Sequence, residues 1–90
     1  MESFVDKLLN NHLLIGTLTI FLVSLVVYLA LFHADKNNFN GMNTTLDVLY
    51  FTSTTHASVG YGDITPKSDI AKIIASMHHF FLIVWVVMNV

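Results

Sequence analysis

The residues of this chain best suited to chemistry stand in one run, Ser58-Val59-Gly60-Tyr61-Gly62-Asp63. Main-chain carbonyls become ligands for a bare cation if they all point the same way. An ordinary strand alternates its carbonyls and side chains on a two-residue period, so a uniform direction needs an unusual backbone. Glycine at every second position supplies one, because Gly60 and Gly62 can take positive φ at little steric cost. Val59 and Tyr61 then point away from the ion path, where their side chains can pack and hold its width. The expected ligands are the carbonyls of Ser58, Val59, Gly60, Tyr61 and Gly62, joined by the Ser58 hydroxyl. Asp63 follows at the outer mouth, either as a charge that attracts cations or as a solvated turn aspartate. One such strand covers only one side of an ion; several copies around an axis would enclose it. A lone Gly-x-Gly is ordinarily a turn, so the flanking chain has to carry the reading.

Those flanks are membrane-like. Of the 90 residues, 54% are hydrophobic and 11% charged, about half the charge of a typical soluble domain. No charged residue lies between Lys7 and Asp35, and none follows Lys72. The formal charge of −2 comes without arginine, which leaves neither a basic patch for nucleic acid nor an arginine-rich voltage sensor. The absence of cysteine excludes a disulfide framework and a thiolate metal site. Paired carboxylates, a nucleophile with its base, and a cofactor loop are all missing, so an enzyme is not expected. Glu2 and Asp6 offset Lys7 and no small-residue cleavage site follows, so the N-terminus is not read as a signal peptide.

Taken in order, 2–11 reads as a short amphipathic helix with Phe4, Val5, Leu8 and Leu9 on one face, suited to the membrane interface. A frayed start to the next helix is the competing reading. Leu13 to Phe32 is twenty residues without formal charge, about 30 Å as a helix and so one bilayer crossing. Gly16, Thr17 and Ser24 suit a close helix neighbour, and Tyr28 and His33 suit interfacial anchors. A polar loop over 33–44 follows, with Gly41 as a breaker. Asn43-Thr44-Thr45 matches a glycosylation pattern, but Asn43 or Thr44 as a helix cap is the stronger reading. The segment 45–57 is too short and polar to cross, so it re-enters as a helix of about 18 Å. Leu46, Leu49, Tyr50 and Ser53 share one of its sides. Pro66 marks a turn, Ser68 or Asp69 caps the last helix, and 69–90 forms the second crossing.

Asp47, Tyr50-Phe51, Thr54-Thr55-His56, Gly60-Tyr61-Gly62-Asp63 and Pro66-Lys67 resemble the pore region of potassium channels, and the whole chain resembles the miniature viral members of that family. The resemblance implies an all-α membrane protein: two transmembrane helices (13–32 and 69–90), a slide helix (2–11), a turret loop (33–44), a re-entrant pore helix (45–57) and a selectivity filter (58–63). It implies a homotetramer whose four filters replace the hydration shell of K+ with rings of carbonyls. The only expected bound species is the permeant K+ ion, and the partners are three identical subunits and the lipid bilayer. Filter support would come from Tyr50, Thr54, Thr55 and His56, the inner pore lining from Ile83, Val86, Asn89 and Val90. No voltage-sensor or cytoplasmic regulatory domain is expected. Lysine counts, one on the terminal side and three on the loop side, would put the filter loop inside the cell by the positive-inside rule. The resemblance instead implies both termini inside and the filter mouth outside, in a viral or host-cell membrane.

Two departures stand out. Position 58 is serine where the family usually has threonine, which suggests a looser innermost ion site. The family often holds the mouth aspartate by a pore-helix tryptophan, whereas the matching region here offers Thr45. His78 aligns with a second-helix histidine of the viral channels. Adjacent His78 and His79 project about 100° apart and cannot share one metal within a subunit. His56 reads as either a structural or a titrating histidine, and Lys7 as either a partner for the Val90 carboxylate or an unpaired snorkelling lysine. Three functions remain open: a potassium-selective channel, a weakly selective cation channel, and a small membrane interaction protein.

Overall fold

The computed structural model describes residues 11–89. The expected interfacial helix at 2–11, apart from Asn11, and the Lys7–Val90 pair lie outside the described residues. Helix α1, His12–Ala34, is capped by Asn11, whose side chain accepts from the Leu14 N–H at 3.1 Å. At its far end Asn38 Nδ2 and the Asp35 N–H both donate to the Leu31 carbonyl, at 2.8 and 3.0 Å. Helix α2, Thr45–His56, has 12 residues, and α3, Asp69–Asn89, has 21. Ser68 Oγ accepts the Ala71 N–H at 3.1 Å, which starts α3. The 23 residues of α1 and the 21 of α3 are long and apolar enough to cross a bilayer. The connection between α1 and α2 holds a 3-10 turn, Lys36–Asn38, and strand β1, Phe39–Asn40. Strand β2, Thr65–Pro66, pairs with β1 antiparallel, Phe39 opposite Pro66 and Asn40 opposite Thr65. Among the described residues the fold is helical apart from one two-residue ladder, which ties together the loops on either side of α2.

The core lies where α1, α2 and α3 meet those loops. Tyr28 and Phe32 of α1, Phe39 and Met42 of the loop, Val48 and Phe51 of α2, Ile64, and Ala71 of α3 form one buried cluster. Tyr28, Phe39 and Phe51 make a triangle of edge-to-face rings with centroids 5.1–6.0 Å apart, each pair contributing about 0.5–1.5 kcal/mol beyond its buried area. Tyr28 thus departs from its expected place at the interface: its exposure is 0%. The local pattern showed an amphipathic ring near a helix end. Burial is tolerated because the hydroxyl meets His78 Nδ1 at 3.0 Å.

Further along, Trp85 of α3 sits on Gly16 of α1, and its Nε1–H donates to the Leu13 carbonyl at 3.3 Å. A Cβ on Gly16 would occupy the space of the indole. Gly16 therefore admits a side chain rather than a second backbone. Leu18, Leu22 and Val26 on the outer side of α1 remain exposed, as do Leu46, Leu49 and Tyr50 on α2. Apolar surface left open on this scale marks a lipid or subunit contact.

The start of α2 is held by a reciprocal box. Thr44 Oγ1 accepts the Asp47 N–H at 3.2 Å, while Asp47 Oδ2 accepts the N–H groups of Asn43 and Thr44 at 2.9 and 3.0 Å. The N–H of Asn43 foremost holds the Asp47 carboxyl below its ordinary range, against the opposing effect of burial and with the Thr44 N–H and hydroxyl adding to it. A carboxyl lowered by folding contributes stability that is complete above its unfolded pKa of about 4 and is lost as pH falls through the folded value. Asp47→Asn should lower the thermal midpoint at neutral pH, and its difference from the parent protein should shrink on acidification below about pH 4. Thermal unfolding in micelles across that range checks it. Gly16→Ala should displace the single tryptophan, at a cost of about 1–3 kcal/mol. A shift in intrinsic emission together with a lowered midpoint is the expected result.

Candidate functional site

Helix α2 is rich in hydroxyls that bond to its own carbonyls. Thr52 Oγ1 donates to Val48 O at 2.7 Å, Ser53 Oγ to Leu49 O at 2.8 Å and Thr54 Oγ1 to Phe51 O at 3.2 Å. These bonds let a polar helix sit among apolar neighbours, with Thr52 and Thr55 buried. Its last carbonyls would otherwise lack partners. They take them from the residues that follow: the Ser58 N–H donates to Thr55 O at 3.0 Å, and the N–H groups of Val59 and Gly60 donate to Thr54 O at 2.9 and 3.4 Å.

Three successive N–H groups are thereby turned toward the end of α2. Positive φ occurs at Ser58 (61°), Gly60 (57°) and Gly62 (85°), but not at Val59 or Tyr61. Backbone that alternates in this way gathers N–H groups on one side and sends carbonyls to the other. The residues from Ser58 to Asp63 are exposed in the single chain. A Cβ built on Gly60 or Gly62 would meet nothing within 4 Å. Conformation, not crowding within the chain, demands glycine there. Ser58 shares that conformation, which the sequence did not signal, since only the glycines advertise positive φ.

The Asp63 end of the run is braced from two sides. The Tyr50 ring stacks on Tyr61 with centroids 6.3 Å apart and planes 5° apart. The Tyr50 hydroxyl lies beside the Asp63 carboxylate. On α2, Tyr50 is thus a neighbour of Asp63. The stacking of Tyr50 on Tyr61, two residues before Asp63, brings the hydroxyl there. Asp63 Oδ1 also accepts the Ile64 N–H at 3.1 Å. Gly41, at φ 79°, backs the Asp63 carbonyl so closely that a Cβ would collide with it. Read along the chain, Gly41 was only a loop breaker. The Asn38 carbonyl receives the N–H groups of Lys67 and Ser68 at 2.8 and 3.2 Å, and Asn40 Nδ2 donates to Thr65 Oγ1 at 3.1 Å.

Behind the Ser58 end, histidines join the helices. His56 Nδ1 lies 3.1 Å from His78 Nε2, and Phe21 of α1 meets the His56 ring edge-on at 5.3 Å. Together with the Tyr28–His78 contact, this makes a polar chain across α1, α3 and α2. His79 Nε2 donates to the Thr55 carbonyl at 2.9 Å. The two adjacent histidines thus serve different partners. Among the expected inner-lining residues, Ile83 is exposed and Val86 half-buried. The Asn89 Nδ2 donates to its own helix, at Trp85 O, 2.9 Å away. Val90 lies outside the described residues.

The comparisons with known proteins agree on one class. The family model described as "Ion channel" matches residues 15–90. The hyperpolarization-activated voltage-gated potassium channel of Methanocaldococcus jannaschii is 34% identical over 77 residues, covering 86% of this chain and 37% of its own length. Two pore potassium channel b of Oryza sativa subsp. japonica is 42% identical over 73 residues, 79% of this chain and 18% of that protein. The potassium channel protein kcv of Paramecium bursaria Chlorella virus 1 is 42% identical over 48 residues, 48% of this chain and 51% of that one. The chain thus spans well under half the length of the first two relatives. No solved structure matches. A match that takes in α1, α2, the Ser58–Asp63 run and α3 together makes the chain a member of the ion-channel family, built on two membrane-crossing helices and a re-entrant segment, and not an enzyme.

Proposed function

We propose that this chain is the subunit of a homotetrameric channel selective for K+, with the carbonyls of Ser58, Val59, Gly60, Tyr61 and Gly62 and the Ser58 hydroxyl as its ligands. The observation that carries this reading is the sign alternation of φ at 58, 60 and 62, with the N–H groups of 58–60 drawn onto Thr54 and Thr55. Four such strands around an axis offer a dehydrated K+ stacked rings of oxygen in place of water. Val59 and Tyr61, 51% and 69% exposed in one chain, provide side chains for neighbouring subunits to pack on. Leu46, Leu49 and Tyr50 extend that surface along α2. Thr54, Thr55, His56 and Tyr50 mount the filter, and Asp63 raises the local cation concentration at the mouth. Ile83, Val86, Asn89 and Val90 line the inner pore. The α2 dipole, negative at its C-terminal end, favours a cation in the cavity. Both termini face the inside and the filter mouth faces outside, in a viral or host-cell membrane.

A weakly selective cation channel is the second reading, favoured by Ser58, which lacks the methyl that would restrict its hydroxyl. Purified protein in a planar bilayer under opposed K+ and Na+ gradients separates the two. A reversal potential near the K+ limit is expected; one near zero supports weak selectivity, and absence of barium-sensitive current removes both. At φ 61° a β-branched residue is more strained than serine. Ser58→Thr should therefore alter barium block and unitary current while lowering thermal stability by about 1 kcal/mol. Unchanged block and current would show that the serine is neutral for the inner site.

A further inference from the structure

Two consecutive residues of α3 reach the end of α2 by different routes. His78 meets a side chain, His56, whereas His79 meets main chain, the Thr55 carbonyl at 2.9 Å. A carbonyl only accepts, so His79 Nε2 carries the proton and donates. The same oxygen accepts the Ser58 N–H at 3.0 Å, while the Ala57 N–H between them donates to the Ser53 carbonyl at 3.0 Å. Ser58 in turn has φ 61°, a conformation that an L-residue keeps only where its surroundings hold it. Thr55, Ser58, Gly60, His79 and Ile83 border one hollow of about 340 Å³ between the filter strand and α3.

We propose that His79 is a positioning residue for the innermost ion site. It fixes the Thr55 carbonyl, and through it the backbone of Ser58, whose own carbonyl and hydroxyl face the ion. The inference rests on the proposed role of Ser58–Gly62 as the ion filter. Because His79 and Ile83 are one helical turn apart on α3, a tilt of α3 pulls on Thr55 at the same time as it changes the cavity wall. His79 therefore makes α3 a lever on the filter. Removing its donor leaves the strained Ser58 hinged on a less constrained oxygen, and the inner site loosens.

The test uses the full chain reconstituted in planar bilayers, with Ba2+ added from the inner side as a probe of the innermost site. His79→Phe keeps a ring without the donor, and His79→Gln keeps an N–H. Loss of one hydrogen bond should shorten the barium dwell time in His79→Phe by about three- to tenfold and lower the K+/Na+ permeability ratio. His79→Gln should restore most of both. Parental dwell times and ratio in His79→Phe would overturn the inference, as would a His79→Gln protein no better than His79→Phe. If the parent protein carries no barium-sensitive K+ current, the filter reading itself fails, a result distinct from failure of the His79 role. Should His79→Phe not assemble, nitrogen-15 to carbon-13 transfer between His79 Nε2 and the Thr55 carbonyl decides it in the parent protein. Transfer present in K+ and weakened in Na+ supports the lever, and equal transfer in both ions contradicts it.

Discussion

Carbonyls cannot be aimed at an ion unless their companion N–H groups have somewhere else to go. Each peptide unit carries both, and at membrane depth an unpaired N–H is costly. Here the C-terminal end of α2 provides the answer. A helix leaves its last carbonyls open, and Thr54 and Thr55 lend theirs to the N–H groups of Ser58, Val59 and Gly60. The strand can run this way only if φ changes sign from residue to residue, which Gly60 and Gly62 allow freely and Ser58 accepts under constraint. Helix end and the Ser58–Gly60 run thus complete each other's hydrogen bonding.

The rest of the chain serves to hold α2 still. Its start is locked by Thr44 and Asp47, and its buried side, Val48, Phe51, Thr52 and Thr55, rests against α1 and α3. Its last turn is held by His78 through His56 and by His79 through Thr55. At the other end of the run, the β1–β2 ladder and Gly41 fix the chain that leaves Asp63. What α2 does not present to its own chain is the side with Leu46, Leu49 and Tyr50, continuous with Val59 and Tyr61. The single chain leaves this surface bare.

Several of these arrangements were readable along the chain and several were not, and the difference is one of range. Long uncharged runs announce bilayer crossings because hydrocarbon tolerates little else, so the two-crossing helical class followed from local sequence. Thr44 and Ser68 stand where helix caps must stand, for the same local reason. Tyr28 did not reveal its burial: His78, its partner, is fifty positions away, and no local pattern encodes that meeting. Tyr50 as the neighbour of Asp63 and Gly41 as the support of its carbonyl are likewise products of tertiary approach. The adjacency of His78 and His79 argued against a shared metal but said nothing of what each would hold. Ser58 hid its positive φ because serine, unlike glycine, carries no conformational signature.

The central claim is that handedness of the backbone at alternate positions creates the ion ligands. It is tested most directly by replacing Gly60 with D-alanine and, separately, with L-alanine, by chemical synthesis of the chain. Both add the same methyl group, but only the D-residue is at ease at positive φ. Single-channel recording should show K+ current with D-alanine and its loss with L-alanine. Equal conduction by the two, or conduction only with L-alanine, would contradict the account.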